Sequence, residues 1–133
     1  MRQRAILLLL LSMFFITVFN CATEEEPLIC HLYGYVVRND NQTGINNLVL
    51  KIYDINPYDL NIGRLRETTT RVQDSIDGFF EMDSVYYGTT KRQGNLVTIG
   101  IDSTQNPGYP SQYYTPFIDG EIDTVIISIV VSD

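Results

Sequence analysis

The stretch Leu48-Val49-Leu50-Lys51-Ile52-Tyr53-Asp54 decides the fold. Leu48, Leu50 and Ile52 fall on one side of an extended chain and Val49, Lys51 and Tyr53 on the other, a period of two with one buried and one partly wet face. From Leu28 onward no window of eleven residues repeats apolar side chains at helical spacing with good helix formers. β-Branched and aromatic residues recur instead in short runs: Leu32–Arg38, Leu48–Asp54, Glu67–Gln73, Phe79–Val85, Leu96–Asp102, Gln112–Ile118 and Ile122–Ser132. Seven such runs predict an all-β domain.

Two runs carry positional information. In Ile122–Ser132 (IDTVIISIVVS) both faces are apolar or Thr/Ser, which predicts a strand lying centrally in its sheet and hard to remove. Pro116 denies a ladder donor, so Gln112–Ile118 is expected at an edge or cut short. Turn chemistry falls at Asn39–Gly44, at Asn46-Asn47 and at Asp77-Gly78, the last read as a hairpin turn between the third and fourth runs. Asn106-Pro107-Gly108-Tyr109-Pro110 reads as a rigid exposed loop. Seven short antiparallel strands over roughly 100 residues fit a sandwich of Ig-like or prealbumin-like kind.

The N-terminus sets an address. Arg2 and Arg4 precede an uncharged apolar stretch from Ala5 to Phe19, the charged start and greasy middle of a secretory signal peptide. As a helix its 15 residues would span about 22 Å, short of the roughly 30 Å hydrocarbon core, although extension to Ala22 makes spanning marginally feasible. Val18-Phe19-Asn20-Cys21 resembles the lipobox of bacterial lipoproteins, with Asn20 where a small residue is usual. That resemblance implies cleavage before Cys21 and acylation of its thiol, which would fix the domain to a membrane without spanning it. Cleavage without acylation, and an uncleaved anchor, are the alternatives. Ala22-Thr23-Glu24-Glu25-Glu26-Pro27 is a solvated acidic tether, similar to the export signal of some surface lipoproteins of Bacteroidetes-type bacteria and equally compatible with an ordinary linker. The expected organisation is a signal peptide over residues 1–20, lipidated Cys21 and tether over 21–31, and the sandwich over 32–133. The corresponding location is the bacterial cell envelope, at the outer membrane.

Charge and length narrow the function. The chain has 133 residues, room for one domain after a leader. Residues 1–20 hold two Arg and no acid, so the remainder carries 7 basic and 16 acidic side chains, a net −9. No basic cluster suits a phosphate backbone, which argues against nucleic acid. Cys30 is the only thiol besides Cys21; with Cys21 unacylated the two could form a disulfide in an oxidising compartment. Cys30 beside His31 invites a thiol–imidazole pair, but adjacent strand residues point to opposite faces and there is no second His.

Asp74-Ser75-Ile76-Asp77-Gly78-Phe79-Phe80-Glu81-Met82-Asp83-Ser84-Val85-Tyr86-Tyr87-Gly88 resembles the T-D-x-x-G-x-F-x-F-x-x-V-x-x-G signature of carboxypeptidase regulatory-like and transthyretin-like domains. Gly34-Tyr35-Val36, Gly44-Ile45 and Val49 resemble that family's opening strand, turn and second strand, and the similarity covers about Leu32 to Asp133. The resemblance implies a non-enzymatic sandwich acting as spacer or interaction module. Hydroxyisourate hydrolase, an enzyme family of similar architecture, has several His and a C-terminal Tyr-Arg-Gly-Ser; this chain has one His and ends Val131-Ser132-Asp133.

No catalytic residue and no cofactor is expected, since neither a nucleophile elbow, a phosphate loop nor a metal-binding His or Cys pattern is present. Tyr86, Tyr87, Tyr109, Tyr113 and Tyr114 are candidates for contact with an envelope protein or glycan, in loops or at an edge. Asp74, Asp77 and Asp83 form a calcium candidate, although Gln73, Ser75 and Ser84 stand where an EF-hand needs carboxylates. Arg64, Arg66 and Arg71 are expected along a solvated strand. A small hydrolase of unrecognised chemistry is the remaining enzymatic alternative.

Overall fold

A computed structural model describes residues 25–93 and 96–130; residues 1–20 and Cys21 lie outside them. Among the described residues the chain forms nine strands in two sheets and no helix. In the first sheet, β1 (Pro27–Arg38) lies between β5 (Ile76–Thr89), antiparallel, and β9 (Ile122–Ile129), parallel. β4 (Arg71–Gln73) borders β5 on its far side, and the two-residue β6 (Arg92–Gln93) pairs with the end of β5. The second sheet runs β3 (Asp59–Thr69), β2 (Val49–Asn56), β7 (Thr98–Ile101), β8 (Gln112–Tyr114), all antiparallel.

The period-two alternation of Leu48–Asp54 is realised in β2, where Leu50 and Ile52 are fully buried and Lys51 and Tyr53 face outward. They meet Leu32 and Val36 of β1, Phe80 and Val85 of β5, Ile99 and Ile101 of β7, and Ile127 and Ile129 of β9 in one core. Each such side chain contributes about 1.5–3 kcal/mol on leaving water. The sandwich is therefore held by facing apolar stripes from both sheets.

Several expectations are corrected. Nine strands replace seven, partly because β3 reads poorly as a strand: its inward positions include Arg64 and Arg66 instead of apolar side chains. The run Glu67–Gln73 is split at Thr70, where the chain passes from the second sheet to the first. Thr70 is buried; its N–H donates to Leu48 C=O at 2.9 Å, its C=O accepts the Asn47 N–H at 2.7 Å, and its hydroxyl accepts the Leu48 N–H at 2.8 Å. β1 begins at Pro27, so residues 27–31, assigned to the tether, belong to the sheet. The sandwich is not wholly antiparallel, because β9 joins β1 in parallel. Nor is β9 central. It is an edge strand, and its second apolar face, Ile122 and Ile126, lies in solvent at 69% and 68% exposure.

The hairpin turn also moves. Asp74 and Ser75, with φ of 51° and 66°, form the two-residue connection between paired Gln73 and Ile76, the positive-φ geometry that matches strand twist. Asp77-Gly78 lies inside β5 at a bulge, with Gly78 at φ 83°. Asn46 accounts for this: its side chain accepts the Gly78 N–H at 2.8 Å and donates to Asp77 Oδ1 at 2.6 Å.

Candidate functional site

At one end of the sandwich the apolar core gives way to charge. Leu50, Ile52 and Asp54 alternate inward on β2, and the Asp54 carboxylate has no exposure at all. In the β2–β3 ladder Arg64 pairs with Asp54 and Arg66 with Ile52, so both guanidiniums share that inner face. Arg64 holds Asp54 through Nε to Oδ1 at 2.7 Å and Nη2 to Oδ2 at 2.6 Å, the two-pronged geometry a guanidinium offers a carboxylate. Arg66 Nη2 and the Tyr86 backbone N–H donate to Oδ2 at 3.0 and 2.9 Å.

β5 completes the cluster. Between Met82 and Val85 it carries one residue more than β1 does, and Ser84 sits at φ 54°. This bulge turns two carbonyls toward the arginines: Arg66 Nη1 donates to Asp83 O at 2.6 Å, and Arg64 Nη2 donates to Ser84 O. Burial lowers Arg66 from the usual arginine range, with the Arg64 charge acting the same way and Asp54 opposing both. The arrangement ties β2 and β3 to β5 across the sandwich.

Beside it lies a recess of about 410 Å³, lined by Cys30, His31, Asp83, Ser84, Tyr87 and Glu121 among others. Cys30 and His31 part as strand geometry demands. Cys30 is buried at 3% exposure and is a free thiol; burial, then the Asp123 and Asp54 charges, push it up to about 11. At neutral pH it is protonated and a poor nucleophile. His31 faces outward, with Nδ1 bonded to the Asp83 carboxylate and Nε2 3.5 Å from Glu81.

The tyrosine candidates are not gathered. Tyr86 and Tyr87 are buried at 4% each because β5 runs on through them to Thr89, and burial raises both phenols. Tyr109 and Tyr114 pack against the core, and Tyr114 donates its hydroxyl to Ser128 O at 2.6 Å. Only Tyr113 of the five is exposed, its ring lying over Gly100. In the loop expected to be exposed, Asn106 is buried, accepting the Val49 N–H at 2.7 Å and donating to Val49 O at 2.9 Å.

Asp74, Asp77 and Asp83 do not converge: Asp74 is in the turn, Asp77 serves Asn46 and Asp83 serves His31. Among the described residues no group of three His, Cys, Asp or Glu is placed to hold a metal. Arg64 and Arg66 are not on a solvated face, whereas Arg71 is, bonded to Glu81 and stacked 5.0 Å from the Phe79 ring centroid.

Sequence reasoning missed the aromatic outer face of the first sheet, where Tyr33 and Tyr35 flank Phe79 at centroid distances of 6.4 and 5.6 Å. Next to it a trough of about 440 Å³ is lined by Tyr35, Val37, Gln42, Thr43, Ile76 and Ile126 among others. The signal was present: Tyr33, Tyr35 and Val37 alternate on the side of β1 opposite Leu32 and Val36. No family model, no curated protein and no solved structure matches the chain.

Proposed function

We propose that this protein is a non-enzymatic interaction module of the bacterial envelope, held at a membrane surface by an acylated Cys21. The observation that carries the reading is the distance in sequence between that cysteine and the fold. β1 begins at Pro27, so the connection has six peptide steps and reaches at most about 20 Å when extended. A domain so tethered presents the Pro27 end of its first sheet to the lipid and its Arg38 end away from it. The signature of the carboxypeptidase regulatory-like and transthyretin-like families falls on the β4–β5 hairpin and its continuation, which supports a sandwich of that kind.

The chemistry of the interior favours structure over catalysis. The Asp54, Arg64 and Arg66 side chains bond one another and β5, and the Cys30 thiol is protonated and separated from His31 by the strand itself. The test is the intact mass of the N-terminal peptide from a membrane fraction, alongside Cys21→Ala. A peptide starting at Cys21 with added acyl mass, and release of the variant from the membrane, is the expected result. An unmodified peptide starting elsewhere overturns the anchor.

A further inference from the structure

We infer that the N-terminal half of β9 is a strand-addition site for an extended segment of another protein, one that alternates apolar side chains with lysine or arginine. The site uses no group of Cys21, so its failure and the failure of the anchor are separate results.

Among the described strands β9 bonds a single neighbour, β1. The parallel ladder to β1 runs between His31 N–H and Glu121 C=O at one end and Asn39 N–H and Ile129 C=O at the other, both at 2.8 Å. Bonds to β1 therefore come from the odd-numbered residues of β9, and the even-numbered ones turn their N–H and C=O to the open side. Near the C-terminal end those groups are met by side chains from β8. Tyr114 donates to Ser128 O at 2.6 Å, and the Gln112 carboxamide accepts from Val130 N–H and donates to Val130 O, both at 3.1 Å, as a peptide unit would. Over Ile122, Thr124 and Ile126 no strand or side chain among the described residues does so.

Proteins usually guard such an edge with charge, proline or a covering element. The other long edge, β3, carries Asp59, Arg64, Arg66 and Glu67. The open half of β9 has a single charge, Asp123, and carries Ile122, Thr124 and Ile126 on its outer face, where Ile126 joins the trough with Tyr35 and Val37. An added strand would place its apolar side chains beside Ile122 and Ile126, where cross-strand pairs form.

Charge selects the partner. Asp119, Glu121 and Asp123 fall just before or within this half in the chain, Asp119 and Glu121 exposed. The chain beyond residue 20 carries a net −9, so two copies repel, and a basic segment is attracted.

The probe is a fluorescein-labelled nonapeptide alternating valine and lysine, with a valine–glutamate peptide as its counterpart, titrated into the full-length chain in detergent micelles. Saturable binding of the lysine peptide, at least ten-fold tighter than the glutamate peptide, is expected, with slowed amide exchange at Ile122, Thr124 and Ile126. T124P removes an outward N–H that no ladder bond uses, and a proline is tolerated there, so folding is kept and binding falls at least ten-fold. Should T124P unfold, I126K, at an outward side chain, carries the same expectation. Equal binding of both peptides, no binding, unchanged affinity in the folded variant, or exchange slowed elsewhere overturns the proposal. So does a dimer by sedimentation with those three amides protected before peptide is added.

Discussion

Asp54 is the residue on which the charged end of the sandwich turns. Replacing it by Asn keeps the shape and removes the anion, leaving two guanidiniums facing bulge carbonyls without the carboxylate they share. Loss of one partner from a buried pair costs about 3–5 kcal/mol, and urea unfolding of D54N is expected to show a loss of that size. A loss below about 1 kcal/mol would mean the arginines relax into solvent. Replacing Asp54, Arg64 and Arg66 together by apolar residues of similar volume is expected to recover much of the stability. Cys30 gives a pH signature. Its folded value of about 11 lies above the ordinary 9.0, so the unfolded chain releases the proton first. Its contribution is whole below pH 9 and is lost as pH rises toward 11. Urea unfolding at pH 8 and 10.5 is expected to show that drop, with a smaller one in C30A. At this scale the parity of Leu50, Ile52 and Asp54 was readable, while the burial of Arg64 and Arg66 was not, because charged residues on a strand ordinarily face water.

At the scale of elements, side-chain amides finish what the strands leave undone. Asn46 holds the β5 bulge, Asn106 pairs with Val49, and Gln112 caps Val130. Such contacts join residues far apart in sequence, so no local pattern announces them; they explain why Asp77-Gly78 is a bulge and not a turn. The turn itself is strained at Ser75, a side chain held at φ 66°. S75G is expected to raise stability by about 1 kcal/mol in urea unfolding, since glycine enters that region without steric penalty. Strand existence was legible from period-two alternation and from β-branched runs. Strand order was not: a run apolar on both faces reads as central, and β9 takes its second apolar face to solvent beside an open edge.

For the whole molecule, topology sets behaviour. The first sheet seats β1 between β5 and β9, pairing His31 with Ile122 and Arg38 with Ile129, so its seam closes only across most of the described chain. Folding is expected on a timescale of milliseconds to seconds, as for sandwiches dominated by distant pairings, and stopped-flow refolding from urea checks it. A chain stopped at Gly120 lacks Ile127 and Ile129 from the core and bares the flank of β1. It is expected to aggregate in detergent micelles that keep the full chain dispersed, which sedimentation checks.

The seating of β1 also has a temporal meaning. A ribosome delivers β1 first and β9 last among the described strands, so the strand that opens the fold must wait through β2 to β8 before its second flank is satisfied. Throughout that interval the second sheet can close, from Val49 to Tyr114, while the first still lacks one flank of β1. A protein built in this order keeps its first sheet pliable after the second has set, and that sheet becomes rigid only once β9 arrives.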